Sequence, residues 1–526
     1  MMVSSFSLSE DYWTTFQVTD EDVEVIYNTL LEKEMPMTTR ELTEVLVGAR
    51  IEREKQELER QRSSKGEVYY PKEAYAAGQD LVFPAFQWRH GKVTGTRPGR
   101  NPELGDFQVI QVKFDEGETK EFASHLEDHI LNNPMESANL DESLDFQAVM
   151  DQYGDILMDN VEEALEDHPD FVRIAGRWFP RTLLVDINVG HLNLAEAVLD
   201  MNGGGPLTTA DLISQIGLES ETNQKLVDFS LDLALQEDPR FDEVGPAGEV
   251  LWYLHRLEPE EVQQVPVFLR YNEIEYDRGL LTPDMLDLER ELDDELSPIR
   301  TVEKSPEVEI RLIFPHWRVG TLPLSARIRH LFPTAYEAPR IRFILVDGVT
   351  GEKFPGWVVR QKRYVFGLRE WYESKGLMPG SIITVRQGEQ PGEVIVEADT
   401  HRSSREWIRT LLVGSDGGIV FAMLKQVVAG PFDERMAVAV PDMAAVDDVW
   451  SRVQKEHIPF ERTVVNTVRE LAKLNPQSHV HASELYAAVN IMRRCPPGPI
   501  LALLASRPWF VHVGDLHFRF DDSERG

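Results

Sequence analysis

Two periodicities of apolar residues alternate along this 526-residue chain. In segments near both ends and around residue 200, apolar residues recur every three or four positions, as on the buried face of an amphipathic helix. Between residues 80 and 122, and again between 311 and 397, short runs alternate apolar with polar residues and are separated by Gly and Pro, which is typical of β-strands. The pattern therefore predicts an α+β protein with several domains.

One helix-start pattern occurs three times, as PMTTREL at 36–42, PLTTADL at 206–212 and HVHASEL at 479–485. In the first two, a threonine side chain can cap the free N–H groups of the helix that follows, and an acidic residue lies in the first turn. Amphipathic helices are predicted before each pattern, at 20–33, 191–201 and 462–474.

Each pattern is followed by a third helix and a hairpin with a glycine-containing turn, at 167–179, 237–254 and 507–518. Three helices and a β-ribbon make a winged helix. We therefore predict three winged-helix units. They span 19–66 with 137–181, then 190–256, and finally 455–522.

The segments PMTTRELTEVL and ALEDHPDFVRIAGRWF resemble the winged-helix module of the bacterial RNA polymerase delta subunit, the HARE-HTH type. The resemblance implies work in transcription, with RNA polymerase or another protein as a partner. A DNA-reading third helix needs basic or amide side chains, but residues 153–166 carry none that is basic and 222–236 carry only Lys225. We expect the first two units to contact protein or to be architectural. In the third unit, the presence of Arg493 and Arg494 leaves both DNA contact and protein contact as alternatives.

The first unit is interrupted by an insertion. A helix predicted to end near Val47 is followed by a charged helix at 51–62 and then by short strand-like runs at 80–84, 91–95, 107–114 and 119–122. The runs predict a small SH3-like β-barrel at 76–124. Trp88 could line a ligand pocket there, although core packing is the more common fate of such a residue. Residues 257–304 are expected to be an acidic helical linker, and 401–454 a connecting region.

Charge is distributed unevenly. The chain has 54 basic and 90 acidic residues, a net charge of −36, and residues 141–304 contribute 11 − 38 = −27. Residues 311–375 reverse the sign, with 12 − 5 = +7. A globally anionic surface repels phosphates, which argues against a protein coated in nucleic acid, but the basic window suits phosphates and guanine edges. The alternative is that this window pairs with the acidic region inside the molecule.

Within residues 305–400, strand-like runs are predicted at 311–314, 342–346, 356–359, 362–366, 381–385 and 393–397, with a helix at 368–375. The segments VGTLPL, YVF, KGL and PGS resemble segments of the DNA-binding pseudobarrel of plant auxin-response factors and of some restriction-endonuclease recognition domains. The resemblance implies a seven-stranded open β-pseudobarrel. We expect Trp357, Tyr364 and Trp371 to be core residues and not DNA contacts. Ser381 departs from the acidic residue usual in that family.

In that family two arms grip the major groove of double-stranded DNA. The resemblance assigns seven residues to the arms: Arg318, Thr321 and Arg327 to the first, and Arg360, Gln361, Lys362 and Arg363 to the second. Their chemistry is suitable, because arginine can bridge the O6 and N7 atoms of guanine, glutamine can bridge the N6 and N7 atoms of adenine, and lysine or threonine can hold phosphates.

Catalytic patterns are weak. His125 and His129 would lie one helical turn apart, a spacing compatible with zinc, but they have no third ligand, and a solvated helix face is the expected role. The glycine-rich segments at 203–205 and 414–418 have no phosphate-binding lysine. The lone Cys495 can form no intrachain disulfide and has no neighbouring base. We therefore expect a protein that is not an enzyme and that has no cofactor and no metal. The single cysteine and the absence of a leader or long apolar stretch predict a cytoplasmic protein without a membrane partner.

Two main hypotheses follow. The first is a non-enzymatic, transcription-associated DNA-binding protein that uses the basic pseudobarrel for DNA and the acidic winged helices for protein partners. The second is an acidic scaffold or RNA polymerase-associated factor whose basic segment docks on the acidic region. A weaker third is the specificity subunit of a defence system, which would require a separate nuclease chain.

Overall fold

The computed structural model describes residues 10–63, 66–83, 86, 89–101, 106–114, 117–132, 145–218, 223–299, 302–390, 392–399, 404–414, 417–521 and 523. The chain divides into two compact units. Unit 1 comprises residues 1–185 and 222–226, and unit 2 comprises residues 186–221 and 227–526.

Unit 1 contains helices and strands in the order α1 (Glu10–Thr14), α2 (Asp20–Lys33), β1 (Met37–Thr38), α3 (Thr39–Ser63), β2 (Glu67–Val68), β3 (Asp80–Phe83), β4 (Arg89–Pro98), β5 (Gln108–Phe114), β6 (Thr119–Ser124), α4 (Phe146–Glu166), β7 (Phe171–Ile174) and β8 (Arg177–Pro180). Strands β1, β8 and β7 form one sheet in that order. Strands β2 to β6 form a second, five-stranded sheet around a core of aromatic and aliphatic side chains.

Helix α3 corrects one expectation. A helix ending near Val47 and a separate charged helix were predicted, whereas α3 runs without a break for 25 residues. A glycine inside a helix costs only about 1 kcal/mol relative to alanine, so Gly48 does not end it. The ion pair between Arg50 and Asp22, 2.5 Å long, ties the middle of α3 to α2.

The segment containing His125 and His129 does not form a helix. It consists of bends and irregular backbone, and His125 has a positive φ of 53°. The two imidazoles are therefore not placed one helical turn apart. Trp88, the candidate pocket residue, lies outside the described residues.

Unit 2 begins with α5 (Val189–Met201), β9 (Leu207–Thr208), α6 (Thr209–Ile216), α7 (Gln224–Glu237, in this unit from Val227), β10 (Phe241–Glu243) and β11 (Leu251–Leu254). The element order repeats that of α2, β1, α3, α4, β7 and β8. In both sets the short strand pairs with the second strand of the hairpin. As predicted, Thr208 caps α6, since its hydroxyl accepts from the Asp211 amide.

In unit 1, Thr39, which follows the predicted capping residue Thr38, has a different role. The Nε1 of Trp178 on β8 donates to the Thr39 hydroxyl at 3.0 Å, and this hydroxyl donates to Glu162 on α4 at 3.3 Å. Trp178 is buried. The contact joins the second helix, the third helix and the hairpin of one repeat.

The same triad occurs in unit 2. Trp252 donates to the Thr209 hydroxyl at 3.2 Å and to Asp232 at 2.9 Å, and Thr209 donates to Asp232. At the corresponding positions of the C-terminal set, Phe518 and Ala482 are both buried in an apolar cluster. That set therefore replaces the polar triad with apolar packing.

The middle of unit 2 contains α8 (Glu260–Gln263), α9 (Pro283–Leu292), β12 (Glu307–Arg311), α10 (Phe314–Val319), β13 (Thr321–Pro323), β14 (Arg340–Asp347), β15 (Lys353–Val359), β16 (Tyr364–Phe366), α11 (Arg369–Lys375), β17 (Ile382–Gln387) and β18 (Glu393–Glu397). The seven strands form a curled half-barrel in the order β12-β17-β18-β14-β15-β16-β13. Trp357, Tyr364 and Trp371 are buried, as predicted. Trp371 packs in the core of the half-barrel, whereas Trp357 and Tyr364 belong to a separate cluster that includes Tyr253.

The strand expected at 311–314 is placed differently. Strand β12 ends at Arg311, and α10 begins at Phe314. Pro315 occupies the first turn of that helix, where its fixed φ and missing N–H are favourable. The apolar run before this proline resembled a strand, but it leads into a helix.

A long ribbon follows the half-barrel, where a connecting region was expected. Strands β19 (Ser404–Val413) and β20 (Ile419–Val428) pair without a bulge over ten residues each. The remaining elements are α12 (Met443–Lys455), α13 (Phe460–Ala472), β21 (His479–His481), α14 (Ala482–Met492), α15 (Pro497–Ser506), β22 (Phe510–Gly514) and β23 (His517–Phe520). From α13 onward they repeat the three-helix and hairpin order. Among the described residues, no helix combines the length and apolar character needed to cross a bilayer.

Candidate nucleic-acid interface

The turn between β15 and β16 brings two basic segments together. The Arg363 amide donates to the Arg360 carbonyl at 3.2 Å, and Arg363 adopts a left-handed conformation with φ 56°. The Leu324 amide, just after β13, donates to the Arg363 carbonyl at 2.8 Å. The 360–363 turn and the loop that contains Arg327 therefore meet at one end of the half-barrel.

The arginines of this turn are held by neutral groups. Arg360 donates to the carbonyls of Tyr336 at 3.2 Å and Ala338 at 2.7 Å, and Arg363 donates to the carbonyl of Glu295 at 3.0 Å. A carbonyl fixes the direction of a guanidinium without cancelling its charge. Both arginines therefore keep a positive charge at the end of the sheet.

Two further side chains of the turn are open to water, since Gln361 and Lys362 are both exposed. The third, Arg363, is exposed as well, in spite of its bond to a carbonyl. A three-residue run with one amide and two cations thus lies on the surface, where it can reach a phosphate or a base edge.

One carboxylate lies beneath the loop that contains Arg327. Asp293 accepts from the Ser325 hydroxyl and, at 3.4 Å, from the Arg327 amide. Burial raises the pKa of Asp293 to about 6, so this group is mostly ionised at pH 7. Asp293 supports the loop through hydrogen bonds, but its negative charge also lowers the potential around Arg327.

Arg318 and Thr321 do not join this group. Arg318 forms an ion pair with Asp447 at 2.9 Å and lies 5.4 Å from the centre of the Phe268 ring. Thr321 is fully buried and shares a hydrogen bond of 2.9 Å with His316. Both lie at or beyond the other end of β13, so the structure brings together five of the seven residues assigned from the resemblance.

Several other cations of the 311–375 window are paired inside the molecule. At least five have carboxylate partners within 4 Å: Arg311 with Glu291 and Asp433, Arg318 with Asp447, Arg340 with Asp242 and Glu258, Lys353 with Glu393, and Lys375 with Asp347. Three of these acidic partners belong to the 141–304 region. The alternative of intramolecular pairing therefore holds for part of the window.

A buried ionic cluster contacts the turn through the Glu295 carbonyl. Arg494 contacts Asp294 and Glu295 at 2.7 Å each, and all three are buried. Burial works to raise the pKa of Glu295, but Arg494 and His316 outweigh it and hold this pKa below its usual value. Because the Glu295 carbonyl also accepts from Arg363, the cluster fixes the position of the exposed turn. The Asp-Asp-Glu run was visible in the sequence, but its partner Arg494 lies 200 residues away from Asp294.

In the part of the chain that the structure describes, the third helices of the repeats present no cationic face of this kind, since Lys225 is their only basic residue. Arg173 pairs with Glu162 at 2.6 Å and with Glu166 at 3.2 Å on α4. Arg494, which left the third unit open, is buried and unable to reach DNA. Arg493 donates to the Ile458 carbonyl at 3.3 Å.

Among the residues with described positions, two clusters bring three possible metal ligands within 4.8 Å of one another: His481 with Asp515 and His517, and Asp242 with His255 and Glu258. In each cluster a guanidinium occupies the place that a cation would take. Arg435 lies 3.1 Å from His481 Nε2 and 3.4 Å from Asp515, and Arg340 contacts Asp242 and Glu258. Neither donor set fits a metal ion as it stands.

The geometry thus singles out one end of the half-barrel, where Arg327, Arg360, Gln361, Lys362 and Arg363 come together. We call this group the cationic end. It is held by backbone carbonyls and by a buried ionic cluster rather than by surface ion pairs. Comparisons with protein-family models, with curated proteins and with solved structures give no match for this chain.

Proposed function

We propose that this protein is a non-enzymatic DNA-binding protein that contacts double-stranded DNA through the cationic end. One observation carries the proposal: Arg360 and Arg363 are oriented by neutral carbonyls, so they keep their charge, while Gln361 and Lys362 between them are exposed. Arg318 and Thr321 are left out of the interface, because an ion pair neutralises Arg318 and burial removes Thr321 from the surface.

The chemistry of the turn suits a duplex. An arginine fork can bridge the O6 and N7 atoms of guanine, an amide can bridge the N6 and N7 atoms of adenine, and a lysine can neutralise a phosphate. The net charge of −36 repels bulk DNA, so affinity must come from this small surface. The remainder of the molecule then favours specific over random contacts.

The three-helix and hairpin repeats have a separate task in this proposal. We take them to be winged-helix modules that contact protein partners, RNA polymerase among them, because their third helices do not offer a cationic face. Their acidic surfaces suit a basic partner surface. The protein would then connect a DNA site with the transcription machinery.

The test is a fluorescence-anisotropy titration of a labelled random duplex with the full chain at several salt concentrations. We expect Lys362→Glu to weaken binding by at least about tenfold at 50 mM salt, because it removes a phosphate contact and adds a repulsive charge. The slope of log K against log salt should become shallower by about 1, as expected for one lost phosphate contact.

Lys353→Ala is the matched control. Lys353 is exposed on the same sheet, at the opposite end of β15, and is paired with Glu393. The Lys353→Ala variant should bind the duplex with the affinity of the wild type. The double variant Arg360→Ala, Arg363→Ala should lose binding as well. Unchanged binding in both Lys362→Glu and the double variant would refute the cationic end as a DNA contact.

A second candidate function is an acidic protein-interaction scaffold, or an RNA polymerase-associated factor, that does not read DNA. It is favoured by the ion pairs that Arg311 and Arg340 form with the acidic region. This candidate predicts no anisotropy change with any duplex at low salt, together with co-purification of RNA polymerase. The same titration therefore separates the two functions.

A further inference from the structure

The ribbon of β19 and β20 differs from the other sheets described for this chain. It has only two strands, whereas the others have three, five or seven. The register runs without a shift from Ser404 opposite Val428 to Val413 opposite Ile419. A two-stranded ribbon is marginal by itself, and a third strand or other packing stabilises it.

Among the described residues, the outer edge of β19 is bonded to another segment at residues 409 and 411 but not at 405 and 407, whereas the outer edge of β20 is unbonded throughout its exposed half. On the outer edge of β19, the Leu411 amide donates to the Ala439 carbonyl at 2.9 Å, and the Ala439 amide donates to the Arg409 carbonyl at 2.8 Å. Because backbone groups alternate in direction along a strand, the outward groups of β20 in its exposed half are those of residues 423, 425 and 427. Among the described residues, no backbone group bonds to these three on that side.

Apolar side chains are exposed along the same ribbon. Six are large hydrophobic residues: Trp407, Leu412, Val420, Met423, Leu424 and Val427, of which Trp407 and Val427 are more than 60% exposed. They lie on both faces, because neighbours in a strand point in opposite directions. Natural edge strands are usually protected by charges, prolines or bulges, and β20 has only Lys425 as a charge and no proline.

We propose that β20 pairs with β20 of a second copy of this chain, giving a four-stranded sheet across a two-fold axis. An antiparallel pair is self-complementary, as a two-fold interface requires. A register that places Met423 opposite residue 425 of the second copy keeps the two lysines apart. The added ribbon would cover exposed apolar side chains on both faces.

The charge of the strand favours a second copy over a charged partner. Lys425 is the single charge in β20, so this edge offers neither an acidic nor a basic row to attract a charged segment. Two bodies of charge −36 repel each other, and salt screens that repulsion. Pairing through apolar strands should therefore strengthen as salt increases. This proposal does not depend on DNA binding.

Sedimentation equilibrium of the full chain tests the proposal. At 0.5 M salt the average mass should rise with protein concentration from 60.1 kDa toward twice that value, and the association should weaken at 50 mM salt. The variant Met423→Lys, Val427→Lys adds positive charges to the β20 edge of each copy and should remain a monomer. Val349→Lys, an equally exposed substitution in the turn after β14, should associate like the wild type.

Hydrogen exchange identifies the surface that associates. The amides of residues 423, 425 and 427 should exchange more slowly at high than at low protein concentration. A chain that stays at 60.1 kDa up to about 100 μM, a scale at which a functional dimer would form, overturns the proposal. So does a dimer that survives in the double variant, or one that leaves these amides unprotected.

Discussion

At the scale of single residues, the two threonines of each Thr-Thr pair in 36–42 and 206–212 have different roles: the first is placed to cap the helix, and the second accepts a hydrogen bond from a buried tryptophan. Thr208 caps its helix, whereas Thr209 and Asp232 together accept the Trp252 indole N–H. Burial raises the pKa of Asp232 to about 7. The sequence indicated a cap at these positions, but the second task depends on two residues from other elements.

Asp232 should make the protein less stable as the pH rises. The folded state holds its proton up to about pH 7, whereas the unfolded state loses it near pH 4, so unfolding is favoured as the pH rises between these values. We expect Asp232→Asn to remove roughly 2–3 kcal/mol of the stability difference between pH 5 and pH 8. Urea unfolding followed by circular dichroism at both pH values measures it. An equal pH dependence in variant and wild type would contradict this assignment.

At the scale of elements, the sequence predicted those whose signals are local. The helix at Asp20–Lys33 and the strand at Glu393–Glu397 have the predicted bounds, because periodicity and flanking residues specify them. The prediction of a strand at 311–314 was wrong, because a proline can begin a helix after an apolar run. The ribbon at Ser404–Val428 was missed because its turn lies in a segment that looked like a simple linker.

The candidate site was predictable only in part. A break between two strands was expected after 356–359, but the strand predicted at 362–366 begins at Tyr364, so Lys362 and Arg363 lie in the turn and not in the strand. Asp447 is 129 residues from Arg318, which it neutralises, and Arg494 is 200 residues from Asp294, its partner in the buried cluster, so no local pattern could reveal these pairs. Ion pairing over such sequence distances decides which cations of a basic window remain available to bind DNA.

The turn between β15 and β16 allows a prediction that separates stability from binding. Arg363→Gly relieves the left-handed strain of about 1 kcal/mol and loses a hydrogen bond of similar value. We therefore expect a free energy of unfolding within about 1 kcal/mol of the wild type, with duplex affinity lowered by about tenfold. Thermal unfolding and anisotropy measure the two quantities. A large loss of stability with unchanged binding would show that the residue is structural.

At the scale of the whole molecule, the proposed DNA contacts all lie in unit 2. Removing residues 1–185 should leave duplex affinity within about threefold of the full chain, since no residue of the cationic end is deleted and a threefold change is below 1 kcal/mol. Anisotropy of the truncated chain provides the measurement, with circular dichroism as the check on folding. A loss of binding in a folded truncated chain would place essential contacts in unit 1.

The buried carboxyls also alter the charge that the folded molecule carries. Burial raises the pKa of Glu243 to about 8, and Asp232 titrates near 7, so at neutral pH both retain protons that the unfolded chain releases. Refolding in weak buffer at pH 7 should take up more than one proton per chain from these two groups. The native protein should then migrate in an electric field as a less negative particle than its formal −36 implies.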